Sequence, residues 1–78
     1  MTIMDLKVGD GFVVQGVALT RETGKRLADM GFTQGVEGTL VRKALFGDPV
    51  EVSILGYHVS IRKSEAAGVT IALQEGAR

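Results

Sequence analysis

The chain has no cysteine and no tryptophan, a single proline, and few aromatic side chains, which come from three phenylalanines and one tyrosine. Without cysteine it can form neither a disulfide nor a thiolate metal site, so a reducing compartment is the simplest expectation. Nine basic and nine acidic residues cancel, so no overall electrostatic field attracts nucleic acid or an anionic membrane. These absences argue against a secreted, disulfide-stabilised protein and against a strongly basic nucleic-acid-binding protein.

Long hydrophobic runs are also missing. No apolar run approaches the roughly 18 residues of a membrane-spanning helix, and the start of the chain lacks the basic-then-apolar pattern of a signal peptide. A chain of 78 residues buries only about 60% of its unfolded surface, so its core is thin. We expect one cytoplasmic domain over residues 1–78, with a core over about 6–73 and a frayed tail over 74–78.

The clearest pattern lies in residues 47–63, which open on a Gly-Asp-Pro turn. Apolar and polar side chains alternate through this stretch, with a short interruption at Leu55-Gly56. The apolar positions are Val50, Val52, Ile54, Val59 and Ile61. A period of two places them on one face of two strands, and a glycine-containing break between strands is typical of a hairpin. We therefore predict an antiparallel hairpin with one buried face, which other elements must cover.

A change of period predicts a helix after the first strand, which covers residues 12–17. Leu27 and Met30 stand three residues apart, with charged residues on the other sides. This spacing predicts a short amphipathic helix over residues 22–30. Thr20 or Thr23 would begin the helix, and Gly31 would end it.

A second strand is predicted over residues 36–44, with Val36, Leu40 and Val41 as core candidates. Gly38 interrupts its alternation, which indicates a bulge or a bend. Before these elements, residues 1–7 are predicted as an extended lead-in. After the hairpin, residues 64–68 predict one helical turn with Ser64 as its N-cap, and residues 69–73 predict the last strand.

Five short strands with one short helix after the first strand and one helical turn before the last predict a mainly β fold. The connections are mostly too short for parallel crossovers, so the strands should be antiparallel. Closing such a meander removes exposed sheet edges. The predicted architecture is therefore a small SH3-like barrel of about five antiparallel strands.

Catalytic and metal-binding chemistry has little support in the sequence. His58 is the only histidine, and a zinc site needs about three or four ligands, for which only carboxylates such as Glu51 and Asp48 are at hand. We interpret His58 as an exposed residue on the polar face of the hairpin. The Gly-Asp-Pro stretch leads a strand and lacks the lysine of a phosphate-binding loop, so we interpret it as a turn.

Three basic doublets, at residues 25–26, 42–43 and 62–63, could converge on one face. Nucleic-acid-binding modules usually add exposed stacking aromatics and a net positive charge, and this chain is poor in both. We therefore interpret the doublets as a solvated surface and keep nucleic-acid binding as an alternative function.

Leu45 and Phe46 are large apolar residues at a position where a turn is normally polar. One interpretation has at least one of them fold back to plug the barrel. The other makes them an exposed tip that binds a partner. The helix poses the same choice, since Leu27 is either a core residue or part of a surface beside Arg26.

Four stretches together resemble the FeoA family of small ferrous iron transport proteins. They are KRLADMGF at 25–32, GVEGTLVRKA at 35–44, LFGDPVEV at 45–52 and GYHVSIRKSEA at 56–66. Each stretch alone is weakly specific. Their order, with a Gly-Asp-Pro turn leading an alternating hairpin and an Arg-Lys-x-Glu-Ala segment, makes the combination fairly specific over nearly the whole chain.

The resemblance implies an SH3-like barrel that serves as a non-enzymatic cytosolic accessory to FeoB, the membrane transporter with a G-protein domain. It implies no catalytic residues, no cofactor and no metal ligands that can be assigned here. We expect the partner-binding surface to include Arg26, Leu27, Leu45 and Phe46, with no nucleic acid bound and no direct membrane insertion. Such a protein would be cytoplasmic, or peripheral at the cytoplasmic face of the inner membrane through its partner.

Besides nucleic-acid binding, two alternative functions remain open. The module also resembles the C-terminal domain of iron-dependent repressors, so a metalloregulator-type module that uses its basic doublets is one alternative. We expect an adaptor instead, because 78 residues leave no room for a DNA-binding helix-turn-helix. The other alternative is a regulator of GTP hydrolysis that supplies Arg26 or Arg42 to stabilise phosphate charge.

Overall fold

A computed structural model describes residues 1–74. The elements are β1 (Gly11–Val17), α1 (Arg21–Asp29), β2 (Glu37–Lys43), β3 (Val50–Ile54), β4 (Tyr57–Ile61), α2 (Lys63–Ala66) and β5 (Val69–Leu73), with short 3-10 turns at Ile3–Asp5 and Leu45–Gly47. The strands form one antiparallel sheet in the order β4-β3-β2-β1-β5. This confirms the predicted mainly β fold of five antiparallel strands, with a helix after the first and a helical turn before the last.

The β3–β4 hairpin has the predicted buried face. Val52 lies opposite Val59 in an unbroken register that runs from the turn to the ends of both strands. Leu55 (φ 50°) and Gly56 (φ 83°) form the connection, both in the left-handed region that a two-residue hairpin turn requires. The buried apolar residues of the hairpin are Val50, Val52, Ile54 and Ile61, with Val59 packed partly against them.

The rest of the core comes from the other three strands, the two helices, the N-terminal segment and the stretch after α1. It contains Ile3, Leu6, Phe12, Val14, Leu27, Phe32, Leu40, Ala66, Val69 and Ile71. Of the core candidates predicted on β2, Leu40 is fully buried, while Val36 and Val41 are half-buried. Val41 lies at a register shift between Leu40 and Arg42, so it does not continue the inward alternation.

Gly38 is not the bulge that its position in the pattern indicates. It lies in regular register between Phe12 on β1 and Ile54 on β3. A Cβ atom at this position would lie 2.6 Å from both Phe12 Cζ and Ile54 Cγ2, and 2.8 Å from the Ser53 carbonyl oxygen. The residue is glycine because its neighbours on both sides fill the space above it.

The termini of α1 follow the predicted signals. Thr20 is the N-cap, and its Oγ1 accepts a hydrogen bond of 3.4 Å from the Thr23 N–H. Gly31, with φ 112°, lies just beyond the helix and has the left-handed conformation common at this position. The helix starts at Arg21, one residue before the predicted start.

The first residues are not an extended lead-in. Thr2 caps a 3-10 turn over Ile3–Asp5, and the Thr2 N–H donates to Asp5 Oδ2 at 2.8 Å. This reciprocal capping gives the backbone a local alternative to an extended strand. The turn directs Ile3 into the core, with Leu6 buried just after it.

Two predictions near the C-terminal end also need correction. Helix α2 starts at Lys63 with Arg62 as its N-cap, so Ser64 is not the cap. Gln74, the first residue of the predicted frayed tail, donates its backbone N–H to the Gly11 carbonyl at 2.9 Å. The remainder of that predicted tail, residues 75–78, lies outside the described residues.

The position of Gly38 leads to a stability prediction. Gly38→Ala should lower the free energy of unfolding by about 2 kcal/mol or more, because the new methyl group overlaps two core side chains and a backbone oxygen. Gly16→Ala is the matched control in β1, where a Cβ would meet nothing within 4 Å. Urea denaturation of both variants measures the difference, and equal stabilities would contradict the close packing at Gly38.

Candidate functional site: an exposed apolar loop beside two short helices

The β2–β3 connection carries the most exposed large apolar side chains of the described chain. We call residues 44–49 the apolar loop. Leu45 is 79% exposed and Phe46 is 85% exposed. Neither side chain folds back into the barrel, so the plug interpretation is wrong. The sequence places both residues in the turn, and the structure presents them to solvent.

Two backbone hydrogen bonds close the apolar loop. The Gly47 N–H donates to the Ala44 carbonyl at 2.8 Å, and the Ala44 N–H donates to the Pro49 carbonyl at 3.0 Å. Phe46 has φ 62° and ψ 18°, a left-handed conformation that costs a non-glycine residue about 1 kcal/mol or more. Backbone strain of this kind is concentrated at functional sites, which makes Phe46 a candidate contact residue.

Neighbouring elements support the loop from two sides. Asp48 Oδ1 accepts a hydrogen bond of 3.0 Å from the Lys63 N–H at the start of α2. On the other side, Lys43 Nζ donates to the Met4 carbonyl at 3.2 Å. A Cβ at Gly47 would lie 3.6 Å from Met4 Cε, so the N-terminal turn lies directly against the loop. The loop is therefore a preformed projection.

The two helical residues proposed for partner binding have different environments. Arg26 is exposed over 54% of its side chain and forms an ion pair with Glu65. Leu27 has no exposed surface at all and belongs to the hydrophobic core. The inclusion of Leu27 in the partner-binding surface is therefore wrong, because the apolar side of α1 packs onto the sheet.

Glu65 is the residue of this region that the sequence analysis missed. It is only 5% exposed, and its Oε1 accepts a hydrogen bond of 2.8 Å from the Arg62 N–H. Its other carboxylate oxygen pairs with Arg26. A glutamate three residues after a helix N-cap is a known capping signal, and this spacing could have identified it. Through Glu65, α2 fixes the position of Arg26.

Helix α2 thus links the two parts of the proposed surface. Its first residue, Lys63, binds Asp48 in the apolar loop, and Glu65 binds Arg26 of α1. The candidate site therefore consists of Leu45 and Phe46 on one side of α2 and Arg26 on the other.

The other candidate residues have ordinary surroundings. His58 is 57% exposed, and its Nδ1 lies 3.4 Å from Glu51 Oε2. Among the described residues, no three His, Cys, Asp or Glu side chains come together as a metal ion would require. A small groove of about 150 Å³ lies between the start of α1 and α2, below the roughly 300–1,000 Å³ of typical ligand pockets. These features do not assemble a reaction site.

Some residues of the basic doublets have local partners. Arg26 pairs with Glu65, and Lys43 donates to a backbone carbonyl. Arg42 lies directly opposite Glu51 in the sheet register, which favours an attractive cross-strand contact. Within residues 1–74, no helix has the length and apolar character needed to cross a bilayer.

The burial of Leu27 predicts a folding defect. Leu27→Gln should lower the free energy of unfolding by about 3 kcal/mol or more, because it removes core packing and buries an amide group. Denaturant titration followed by circular dichroism measures this loss. If Leu27→Gln leaves the free energy of unfolding unchanged, the burial of Leu27 is contradicted and Leu27 belongs to the surface.

The Arg26–Glu65 pair predicts a smaller effect. Arg26→Ala should destabilise the protein by about 1 kcal/mol, because it leaves the nearly buried Glu65 without its cation while solvent still reaches the partly exposed site. Lys25→Ala, at an exposed position on the same helix, should change stability by only a few tenths of a kcal/mol. Thermal unfolding of both variants compares them, and an equal loss would rule out a structural role for the pair.

Comparison with known proteins identifies the relatives of this chain. The FeoA domain model matches residues 1–73. The chain is 36% identical over 73 residues to the Fe(2+) transport protein A/Fe(2+) transporter FeoB fusion protein of Porphyromonas gingivalis. The match covers 94% of this chain but only 9% of the fusion protein, so the chain corresponds to one small part of that relative.

Solved structures share the whole fold. The solution structure of FeoA from Chlorobium tepidum superimposes with a TM-score of 0.90 at 35% identity, over 100% of this chain and 74% of that protein. The crystal structure of Stenotrophomonas maltophilia FeoA complexed with zinc, described as an SH3 domain protein, has a TM-score of 0.81 at 29% identity. That match covers 92% of this chain and 89% of the other. The predicted SH3-like architecture is confirmed, and the chain belongs to the FeoA family.

Proposed function

We propose that this protein is a non-enzymatic accessory of ferrous iron uptake that binds a FeoB-type transporter and modulates it at the cytoplasmic face of the inner membrane. Family membership supports the link to ferrous iron transport. The Porphyromonas gingivalis relative is named as one polypeptide that joins a transport protein A to a FeoB transporter. The Stenotrophomonas maltophilia protein is described as a candidate ferrous iron transport activating factor.

The observation that carries this proposal is the exposure of Leu45 and Phe46 on a loop closed by backbone hydrogen bonds. Burying one Leu or Phe side chain in a partner contributes roughly 1.5–3 kcal/mol. A preformed loop loses little conformational entropy on binding, so most of that contribution is retained. Apolar side chains presented in this way favour insertion into a hydrophobic pocket of a protein partner.

The same magnitudes indicate a weak complex. Two apolar side chains give a gross stabilisation of roughly 3–6 kcal/mol, while a micromolar complex needs about 8 kcal/mol after the costs of association are met. A second contact is therefore needed. Arg26 is suited to provide it, because its guanidinium has five N–H donors and its side chain is half-exposed beside Glu65.

A weak contact also gives a reason for joining a transport protein A and a FeoB transporter in one polypeptide, as in the Porphyromonas gingivalis relative. Tethering a module to its partner raises the effective concentration to the millimolar range for short flexible linkers. Contacts of the strength estimated above would then be largely occupied. A separate protein with the same surface would bind and release the transporter according to its concentration, as expected of a modulator.

The apolar loop predicts a loss of binding without a loss of folding. Phe46→Asn should weaken binding to a purified FeoB-type transporter at least about tenfold, because it removes a buried aromatic anchor. Asparagine tolerates the left-handed backbone of this position. Leu45→Ser should have a similar effect, and biolayer interferometry on the detergent-solubilised transporter measures both.

Val8→Ser is the matched control, since Val8 is also apolar and 62% exposed but lies in a different turn. Its affinity should equal that of the unmodified chain, and circular dichroism should be the same for all variants. Wild-type affinity in both loop variants would exclude the apolar loop as the contact. Absence of any binding by the unmodified chain would contradict the proposed partner itself.

A further inference from the structure

The two end strands of the sheet differ in how their outer edges are covered. The N-terminal segment lies along β5, where Thr2 forms an antiparallel bridge with Thr70. The Ile71 N–H also donates to the Met1 carbonyl at 2.9 Å. No segment of the described chain pairs with the outer edge of β4. Within residues 1–74, the β5 edge of this sheet is covered by the N-terminal segment, and the β4 edge is left unpaired.

The hairpin register shows which backbone groups of β4 point outward. The two-residue turn makes Ile54 and Tyr57 a hydrogen-bonded pair. Because such pairs alternate along an antiparallel ladder, Val59 and Ile61 also direct their N–H and C=O groups towards β3. The corresponding groups of His58 and Ser60 therefore face away from the sheet. Both residues are exposed.

Strand β4 lacks the usual features that protect an open edge. Proteins block edges with lysine, proline, bulges or inward-pointing charges. Residues 57–61 read Tyr-His-Val-Ser-Ile and contain no lysine, arginine, proline or acidic residue. The β3–β4 register has no bulge, whereas the β1–β5 and β2–β3 registers each contain one. The edge is regular and carries no lysine, arginine or acidic side chain.

We propose that β4 pairs antiparallel with β4 of a second copy of this chain, which joins the two sheets into one. The sequence of the strand is self-complementary about a two-fold axis through Val59. His58 then lies opposite Ser60 of the second copy, and each such pair exchanges two backbone hydrogen bonds. Tyr57 lies opposite the second copy's residue 61.

The alternative registers are less favourable. Pairing centred on His58 places the two imidazoles opposite each other and brings the turn residue Gly56 opposite Ser60. Pairing centred on Ser60 places Tyr57 opposite Lys63, which belongs to α2 and not to the strand. Only the register centred on Val59 pairs residues 57–61 entirely with one another.

The side chains on the inner face favour the same arrangement. Tyr57 is 44% exposed, and Val59 is only partly buried against the core. In the proposed register the two Val59 side chains lie opposite each other on the same face, flanked by the exposed part of each Tyr57 ring. Ile61 is buried within its own copy, so the two-fold contact covers only the exposed parts of Tyr57 and Val59. This inference depends on the edge of β4 and not on the proposed transporter contact.

Single cysteine variants test the register, because the natural chain has no cysteine. In the proposed dimer the two copies of residue 59 form a non-hydrogen-bonded pair with Cα atoms about 4.5 Å apart, within disulfide range. Under mild oxidation, Val59→Cys should form a covalent dimer rapidly. His58→Cys and Ser60→Cys are controls from the same strand, because their copies lie beyond the roughly 7 Å limit for bridging in this register.

Rapid cross-linking of His58→Cys or Ser60→Cys, with Val59→Cys slow, would overturn the proposed register in favour of one of the alternatives. Equal slow cross-linking of all three would overturn pairing through β4. The rate of disulfide formation by Gln15→Cys, which is exposed on strand β1, gives the background from random collision against which the three variants are compared.

Edge-blocking variants test the same dimer in solution. Ser60→Pro removes an outward N–H that β3 does not use, so the single copy should keep its fold. The dimer loses two hydrogen bonds, which at about 1 kcal/mol each corresponds to roughly thirtyfold weaker association. Ser60→Lys should weaken association as well, and it replaces the proline variant as the edge-blocking test if that variant folds poorly. Sedimentation velocity over a concentration series measures the dissociation constants.

The unmodified chain should show a concentration-dependent dimer, and Ser60→Ala should behave in the same way. A single-chain mass at every concentration would overturn the proposal. So would a dimer that persists in both edge-blocking variants, or one that disappears in Leu45→Ser instead.

Discussion

Gly38 lies in register between Phe12 and Ile54, and both of their side chains approach the place that a Cβ atom of residue 38 would occupy. The packing of β1, β2 and β3 at this point depends on the absence of a side chain. The register shifts at Val41 and near Gln15 add local bends to the strands. A chain with so thin a core depends on close packing at such a point.

Much of this fold could be predicted from periodicity. The alternation through the hairpin gave its buried face, and Thr20 and Gly31 marked the ends of α1. The errors have local causes. Reciprocal hydrogen bonds between Thr2 and Asp5 form a 3-10 turn where an extended lead-in is predicted. The pattern at Gly38 predicts a bulge or a bend, because a glycine that allows a close approach between strands looks the same in the sequence as a glycine at a bulge.

The candidate site was predictable in part, for related reasons. Leu45 and Phe46 stand out because large apolar residues are unusual in a turn, and pattern alone left open whether they face inward or outward. Leu27 was misplaced because a single helical period does not tell a core-facing leucine from a docking one. The capping role of Glu65 is visible in its spacing from Arg62, but its pairing with Arg26 is not, because the two residues are distant in sequence. Exposure and long-range pairing are properties of the folded chain.

The central claim is that a preformed apolar loop, supported by α2 and the N-terminal turn, makes the contact with a FeoB-type transporter. The most direct measurement is an NMR titration of the isotope-labelled chain with the cytoplasmic domain of that transporter. We expect amide shift changes centred on residues 44–48 and extending to Arg26. Changes centred on β1 and β5, with residues 44–48 unaffected, would contradict the claim.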